Sequence, residues 1–346
     1  MDKNVAIRRI ILRADANSFI GLGHVSRLLS IASFLHSDFE LFLVSDCVTS
    51  NLILEFKNLD VKVISIETSE FYDHPDKKGE QELVWDIPKE LVNQAEIIVL
   101  DGYWFGSNYR RKCKENGLKT VIIDDFVKPI SFADLIINHA PGIDENKYLV
   151  KSNCQIASGL AYTMIRPEFL RAKKINRISN NGFVCFGGVD SLKLSAKAAT
   201  ILLMNNEIEK VMVLISSHTN LNTIDALNDL AFKNPGRLEL FQSLQSEEVC
   251  QLLDKSRYAI VPASTILFEA YFRGCICLCG LTAENQSNIY QGFTKSNYAY
   301  GLGDLRNTSI FSETKDFWSD VKNYPFIFET ESINPAITFS TLFNRL

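Results

Sequence analysis

The chain has 346 residues, of which 46% are hydrophobic and 22% charged, and its formal net charge is −5. This length and hydrophobic content are typical of a soluble globular protein with one large or two medium domains. The negative charge argues against nucleic acid or an anionic membrane as a partner, because both require a concentrated basic surface to neutralise phosphates. We therefore expect a small-molecule partner.

The beginning of the chain predicts no targeting segment. The strand-like run at residues 5–12 is too short for a signal peptide and contains Arg8 and Arg9. No apolar run reaches the length of a transmembrane helix. The eight cysteines are scattered, mostly inside apolar runs, which is typical of a reducing cytosol. The sequence thus predicts a cytoplasmic protein without stable membrane insertion or disulfides.

The first half of the chain alternates apolar runs of strand length with amphipathic segments, which is the pattern of a parallel sheet built from strand-helix-strand units. A helix is predicted at residues 23–35, because Val25, Leu28, Leu29, Ala32 and Leu35 recur at spacings of three and four. The predicted strands are residues 10–14, 41–45, 61–66, 97–101, 121–124 and 135–138.

A glycine-rich segment begins the predicted helix. Gly21 and Gly23 would let a ligand approach the free N–H groups of its first turn. The alternative is a dinucleotide-binding fingerprint with Ser26 as its third small residue and Asp46 as the ribose-binding acid. The fingerprint needs a glycine in place of Ser26 and a tight turn directly after the strand, and this segment has neither.

His24 lies at the start of the same helix, where an imidazole can act as a general base near neutral pH. A capping or core histidine is the alternative interpretation. Asp15, at the end of the preceding strand, could orient the imidazole or could instead cap its own loop. We predict that His24 and Asp15 are catalytic.

Acidic residues follow two further predicted strands. Asp101 precedes Gly102 and Tyr103, and Asp124 is followed by Asp125. Paired aspartates can bind a divalent metal, but sugar-nucleotide enzymes without metal also carry strand-end acids, and so do ordinary solvated turns. The sequence assigns no role to Asp124 and Asp125.

A polar, basic connector between residues 161 and 181 separates the two halves, and we predict domains at residues 1–172 and 173–346. Strands are predicted again at residues 183–186, 211–215, 238–241, 259–261 and 276–278. Two such domains would meet at the carboxyl ends of their strands, so the active site is expected in an interdomain cleft. The tail at residues 333–346 is expected to pack back across a domain surface.

Two motifs of the second domain could bind phosphates. Gly187 and Gly188 end its first strand without the Lys-Ser/Thr of a P-loop, and they fit either close approach to a sugar or diphosphate or a simple tight turn. Ser264 and Thr265 precede a predicted helix, with Glu269 about one turn later. These residues suit phosphate and ribose binding, although a helix cap with a surface glutamate is the alternative.

The alternating cysteines of this domain are interpreted as core residues. Cys275, Cys277 and Cys279 would share one face of a strand, where alternate side chains lie roughly 7 Å apart. That separation is too large for a single zinc ion. No metal site is therefore predicted.

Taken together, the motifs resemble the PseG/SpsG family of UDP-sugar hydrolases, which is related in architecture to the GT-B glycosyltransferase MurG. The matching residues follow the family order from about residue 8 to 305. They are Arg13, Asp15, Gly21, Gly23, His24 and Arg27; Asp101 and Tyr103; Asp124 and Asp125; Asp134 and Asn138; Gly187, Gly188 and Asp190; Ser264, Thr265 and Glu269; and Asn285 with Gln286. Ala263 and Phe268 depart from the usual family residues.

The resemblance implies two Rossmann-like α/β domains in a GT-B arrangement and hydrolysis of UDP-2,4-diacetamido-2,4,6-trideoxy-β-L-altropyranose. UDP and the free sugar would be released with inversion, on the route to pseudaminic acid, without metal or cofactor. His24 would deprotonate the attacking water. The implied substrate-binding residues are Arg13, Gly23, Tyr103, Gly187, Gly188, Ser264, Thr265, Glu269, Asn285 and Gln286.

Two other functions compete with this hypothesis. A glycosyltransferase could use the same fold to place an acceptor hydroxyl where the water would attack. A non-catalytic UDP-sugar-binding accessory protein could also retain the fold, although His24 argues against it.

Overall fold

The computed structural model describes residues 7–16, 21–46, 48–67, 83–150, 153–171, 180–187, 190, 192–307 and 317–346. The chain forms two compact units. The first comprises Met1–Arg166 and Ile333–Leu346, and the second comprises Pro167–Ser332. Each unit is described separately.

The first unit contains a parallel sheet of seven strands. They are β1 (Arg9–Arg13), β2 (Glu40–Ser45), β3 (Lys62–Ser65), β4 (Ile97–Asp101), β5 (Lys119–Ile123), β6 (Leu135–Asn138) and β7 (Gln155–Ser158). Their order in the sheet is β3-β2-β1-β4-β5-β6-β7. The central strands β1 and β4 are almost entirely buried, as expected for a parallel sheet covered on both faces.

The second unit contains a parallel sheet of six strands. They are β8 (Asn181–Cys185), β9 (Val211–Ile215), β10 (Leu238–Gln242), β11 (Ser256–Pro262), β12 (Ile276–Leu281) and β13 (Ala299–Asp304). Their order is β10-β9-β8-β11-β12-β13. Counted within each unit, both sheets therefore share the doubly wound order 3-2-1-4-5-6, to which the first sheet adds a seventh strand, and the α/β prediction is confirmed.

The helices of the described chain connect these strands. They are α1 (Gly23–Leu35), α2 (Ser50–Asn58), α3 (Lys89–Val92), α4 (Ser107–Glu115), α5 (Pro167–Leu170), α6 (Leu194–Met204), α7 (Leu221–Lys233), α8 (Ser246–Lys255), α9 (Thr265–Phe272), α10 (Ser287–Lys295), α11 (Phe317–Asn323) and α12 (Pro335–Asn344). The predicted helix at residues 23–35 is confirmed. None of the described helices combines the length and apolar character needed to span a bilayer.

Two strands were not predicted from the sequence, and both lie at a sheet edge. β7 pairs with β6 alone, and β13 pairs with β12 alone. Edge strands have one paired side and tolerate polar or glycine residues, so Gln155–Ser158 and Ala299–Asp304 lack the continuous apolar run that marks a central strand.

The domain division differs from the predicted one in two respects. The chain leaves the first unit at Arg166, six residues before the predicted boundary after residue 172. The tail, predicted to be part of the second domain, belongs to the first unit, where α12 packs on α1. The rings of Phe339 and Phe34 lie 5.4 Å apart, and burial of the apolar face of α12 accounts for this return.

The order of strands reverses at one point in each sheet. In the first unit this point lies between β1 and β4, and in the second between β8 and β11. Ligands of open α/β sheets bind at the carboxyl ends of such strands, because the loops that follow them diverge there. Most candidate residues follow one of these four strands.

Candidate functional site

The candidate general base of the first unit is held by a carboxylate from the neighbouring strand. His24, on the first turn of α1, has Nδ1 2.6 Å from Oδ1 of Asp101 at the end of β4. The side chains of Tyr103 and Trp104 meet the imidazole edge to face, with ring centroids 5.0 and 5.3 Å away. The ring is therefore fixed on three sides and is 7% exposed.

The short distance to Asp101 favours one tautomer of His24. A proton on Nδ1 makes the contact a hydrogen bond to an ionised carboxylate, whereas a bare Nδ1 would oppose two lone pairs at 2.6 Å. With the proton on Nδ1, Nε2 carries the lone pair. Among the residues that the structure describes, none forms a hydrogen bond with Nε2. This nitrogen can therefore accept a proton from a bound molecule.

Arg27 joins Asp101 to a second carboxylate. Its Nε and Nη2 donate to Asp101 at 2.8 and 2.6 Å, and its Nη1 donates to Asp125 at 2.7 Å. Nη2 also lies 2.9 Å from Nδ1 of His24, three residues earlier on the same helix. We call His24, Arg27, Asp101 and Asp125 the Arg27 cluster. All four side chains are buried.

The ionisation of this cluster follows from its geometry. Burial opposes the charge of Arg27, but the carboxylates of Asp101 and Asp125 keep its pKa well above the usual value. Burial alone would raise the pKa of Asp125, yet the Arg27 guanidinium holds it at about 2. Burial, reinforced by Arg27, lowers the pKa of nearby His139 to about 4. Near neutral pH Asp125 is therefore charged and His139 is not.

The predicted roles of Asp15 and Arg13 require correction. Asp15 accepts hydrogen bonds from the backbone N–H of Asp46, at 2.7 Å, and from the Arg13 guanidinium. It does not contact His24, because it lies on the β2 side of β1 while Asp101 lies on the β4 side. Arg13 is 0% exposed and also binds Asp86 at 2.6 Å, so it braces this loop and presents no atom to a ligand.

Gly21 and Gly23 lie at the start of α1, and Tyr103 follows β4. Gly21 has a φ of +78°, a conformation that favours glycine, and a Cβ at Gly23 would meet no atom of the described residues within 4 Å. Tyr103 is 46% exposed, and its hydroxyl donates to Asp125 at 2.6 Å. Part of this side chain can be reached from solvent.

Asp124 stabilises the loop that follows β5. Its Oδ2 accepts hydrogen bonds from the Tyr148 hydroxyl and from the backbone N–H of Val127, both at 2.7 Å. Val127 has a φ of +56°, which is unusual for a β-branched residue and needs such support. Asp124 thereby fixes the backbone that carries Asp125.

The candidate phosphate site of the second unit follows β11. Ser264 is the N-cap residue of α9, but its side chain makes no capping hydrogen bond. In the described part of the chain, the hydroxyls of Ser264 and Thr265 have no hydrogen-bond partner. Together with the backbone N–H groups of Thr265 and Ile266, they form a set of donors without a partner among the described residues, which is the arrangement that binds phosphate at helix N-termini.

The glycine turn after β8 is described in part. Gly187 has a φ of +58°, where glycine is favoured, whereas Gly188 lies outside the described residues. Asp190 accepts hydrogen bonds from the backbone N–H groups of Leu194 and Ser195 at 2.8 and 3.0 Å. It therefore caps α6 and positions the far side of the turn.

The remaining candidates of the second unit are less accessible. Glu269 lies on the second turn of α9 and is 4% exposed, so contact with a ribose requires this side chain to become accessible. The side-chain carbonyl of Gln286 accepts from the backbone N–H of Thr282 at 2.8 Å, which closes the loop after β12. Asn285 precedes it in a short 3-10 turn, Glu284–Gln286, and is partly exposed.

The three alternating cysteines lie in the core of the second unit. Cys277 and Cys279 belong to β12, and Cys275 directly precedes it; all three are buried. Within the described ranges, no group of three or more His, Cys, Asp or Glu side chains is placed to hold a metal ion.

Three residues of the Arg27 cluster, namely Arg27, Asp101 and Asp125, received no role in the sequence prediction. Arg27 is three residues after His24, so the helical repeat places both on one face, and this spacing could have indicated the pair. Asp101 is a strand-end acid 77 residues from His24, and its proximity depends on the strand order β1-β4. The periodicity of the sequence does not reveal that order.

Comparison with known sequences supports the resemblance found in the motifs. No family model matches the chain. The chain is 28% identical over 297 residues to the UDP-2,4-diacetamido-2,4,6-trideoxy-β-L-altropyranose hydrolase of Campylobacter jejuni, a match that covers 84% of this chain and 97% of that protein. The resemblance to the PseG/SpsG family is confirmed by this similarity.

Solved structures with low sequence identity share the fold. MurG of Acinetobacter baumannii matches 98% of this chain and 100% of its own with a TM-score of 0.60 and 10% identity. A UDP co-structure of MnaA from S. aureus matches 98% of this chain and 96% of its own with a TM-score of 0.61 and 11% identity. The chain therefore has the GT-B fold with two Rossmann-like α/β units.

Proposed function

We propose that the protein is a hydrolase that cleaves a UDP-activated sugar into UDP and the free sugar. The observation that carries this proposal is the contact of His24 Nδ1 with Asp101, which leaves Nε2 able to accept a proton at the carboxyl edge of the first sheet. The similarity to the Campylobacter jejuni hydrolase supports the same reaction class.

In the proposed reaction, Nε2 of His24 takes a proton from water while the water oxygen attacks the anomeric carbon. The bond between this carbon and the diphosphate oxygen breaks, and UDP leaves with the electron pair. Asp101 stabilises the imidazolium that forms, as the carboxylate of a catalytic triad does. Attack from the face opposite UDP inverts the anomeric configuration.

The second unit supplies the proposed UDP site. The diphosphate would lie at the N-terminus of α9, where the helix dipole and the unengaged hydroxyls of Ser264 and Thr265 stabilise negative charge. The same groups favour departure of UDP, because they stabilise the charge that develops on the leaving oxygen. The glycine turn at Gly187 would allow close approach of the ligand, and Glu269 would bind the ribose once accessible.

The proposed substrate is UDP-2,4-diacetamido-2,4,6-trideoxy-β-L-altropyranose, on the strength of the similarity over 84% of the chain. The released sugar would serve pseudaminic acid biosynthesis. Tyr103 and Asn285 are proposed to contact the sugar, since both are at least partly exposed. The proposed reaction uses no metal or cofactor.

A panel of UDP-sugars tests this proposal. The protein is incubated with each compound in ¹⁸O-labelled water, with and without sugar and lipid acceptors, and UDP is followed by chromatography. We expect UDP release without acceptor, one ¹⁸O atom in the free sugar and none in UDP, and an inverted anomer in early NMR spectra. Release that requires an acceptor would indicate a glycosyltransferase. UDP binding without any release would indicate an accessory protein.

A further inference from the structure

Asp125 is a buried carboxylate that contacts two groups of the candidate active site without contacting His24. One oxygen accepts from Arg27 Nη1 at 2.7 Å, and the other accepts from the Tyr103 hydroxyl at 2.6 Å. We propose that Asp125 is a positioning residue that balances the charge of the Arg27 cluster and anchors Tyr103. This proposal rests on the proposed hydrolysis.

The charge balance of the cluster supports this role. Asp101 and Asp125 carry two negative charges and Arg27 carries one positive charge, so the cluster has a net charge of −1 while His24 is neutral. When His24 takes a proton from water, the net charge becomes zero. Without the charge of Asp125 the same step would leave a net positive charge in a buried site, which is costly.

The other groups near the cluster do not supply this charge. His139 is buried and uncharged above about pH 4. Tyr103 and Trp104 contribute uncharged rings. Within the cluster, Asp101 already shares both of its oxygens with Arg27. The second negative charge in direct contact with Arg27 is therefore that of Asp125.

The second carboxylate oxygen of Asp125 fixes Tyr103, a partly exposed residue. The ring of Tyr103 lies between His24 and Phe126, with centroids 5.0 and 4.9 Å away. Its hydroxyl donates to Asp125, and this hydrogen bond holds the ring in place against His24.

The test combines single variants with a double-mutant cycle. Asp125→Asn keeps the size of the side chain and removes its charge, and Tyr103→Phe removes the hydroxyl alone. The control is Asp134→Asn, a carboxylate that accepts from the backbone N–H of Thr120 at the amino end of the sheet. For each variant, kcat and KM for UDP release and the affinity for UDP are measured.

We expect Asp125→Asn to lower kcat by about 10-fold to 100-fold, the range typical of partners that orient metal-ligating residues, and to raise KM because Tyr103 loses its anchor. Tyr103→Phe should raise KM with little change in kcat, and the double variant should raise KM no further than Asp125→Asn. UDP affinity should stay unchanged throughout, and Asp134→Asn should behave as wild type. A kcat of Asp125→Asn within threefold of wild type, or additive effects on KM, would overturn the proposal.

A spectroscopic measurement separates this proposal from the proposed function. In ¹⁵N-histidine spectra, the signals of His24 are assigned as those that disappear in His24→Ala. In the wild type we expect the Nδ1–H proton of His24 to resonate strongly downfield. Asp125→Asn should move it upfield, because Asp101 becomes fully neutralised by Arg27 and accepts more weakly. An unchanged resonance would refute the role of Asp125, even if the wild type released no UDP and the proposed function itself had failed.

Discussion

The two sheets of this protein share one topology but differ in the chemistry at their carboxyl edges. At the reversal point of the first sheet, the buried charges of the Arg27 cluster satisfy one another. At the reversal point of the second sheet, the hydroxyls of Ser264 and Thr265 and the first two N–H groups of α9 have no partner among the described residues and can bind a ligand. The charged groups of the first edge bind one another, whereas the donors of the second edge can bind an anion.

This difference shows that strand order determines where a site forms, while the loops determine what it does. In the first unit, the end of β4 and the segments that follow β1 and β5 bring Asp101, His24 and Asp125 around Arg27. In the second unit, the corresponding loops carry glycine and hydroxyl residues. A reactive base needs such fixed surroundings, whereas a phosphate needs donors that are not already engaged.

The variant His24→Ala should distinguish the roles of the two sheet edges most clearly. Loss of the base should lower kcat for UDP release by about 10³-fold, since general base catalysis contributes up to about 10⁴-fold. The affinity for UDP, measured by calorimetry, should change less than about twofold, because the proposed UDP donors lie in the other unit. Near-normal turnover by this variant would disprove the proposed mechanism.

Asp101→Asn should lower kcat by about 10²-fold to 10³-fold. An amide cannot hold the Nδ1–H tautomer of His24 or stabilise its protonated form as a carboxylate does. The measurement is steady-state UDP release together with a check of folding by circular dichroism, since one carboxylate of the Arg27 cluster is lost.

The matched comparison is Asp15→Asn, at the residue that the sequence suggested as the partner of His24. We expect it to reduce the free energy of unfolding by about 1–3 kcal/mol, through its contacts with Arg13 and the Asp46 N–H, with kcat within about threefold. If Asp15→Asn instead lost as much kcat as Asp101→Asn, the assignment of Asp101 as the partner would be incorrect.

Acid should destabilise the first unit before the second. Since burial and Arg27 lower the pKa of His139 to about 4 in the folded chain, the unfolded chain, with a pKa of about 6.5, binds more protons between these values. Stability of the first unit should therefore fall by about 3 kcal/mol as the pH falls from 6.5 to 4. Hydrogen exchange resolved by peptide can follow both units separately.

His139→Gln is the control for this pH dependence. This variant removes the titrating imidazole. The loss of stability of the first unit between pH 6.5 and 4 should therefore be about 3 kcal/mol smaller than in the wild type. An identical pH dependence in the two proteins would show that another group is responsible.

The smallest effects are expected at the second edge. Ser264→Ala and Thr265→Ala should each weaken UDP binding about tenfold, because one hydrogen bond to a charged group is lost. Ser287→Ala, at the start of the neighbouring helix α10, is the control, since its hydroxyl already donates to the carbonyl of Glu284. Calorimetry with UDP measures all three. Equal affinities would place the diphosphate elsewhere.

Local sequence patterns were sufficient for much of the fold. Four elements have the predicted bounds: the helix at residues 23–35 and the strands at residues 97–101, 135–138 and 211–215. The helix shows an apolar repeat of three and four residues, and each strand is a short apolar run. The strands β7 and β13 were missed, because polar residues and glycines interrupt their apolar residues.

By itself, the sequence determined the α/β class, the resemblance to UDP-sugar hydrolases and the position of His24 at a helix start, since all three depend on contiguous residues. The tertiary structure alone decided which carboxylate serves His24. Asp15 is nearer in the chain but lies toward β2, while Asp101 and Asp125 arrive from β4 and β5 on the other side. Strand order is set by packing over the whole sheet, so residues that are far apart in the chain become the partners of this histidine.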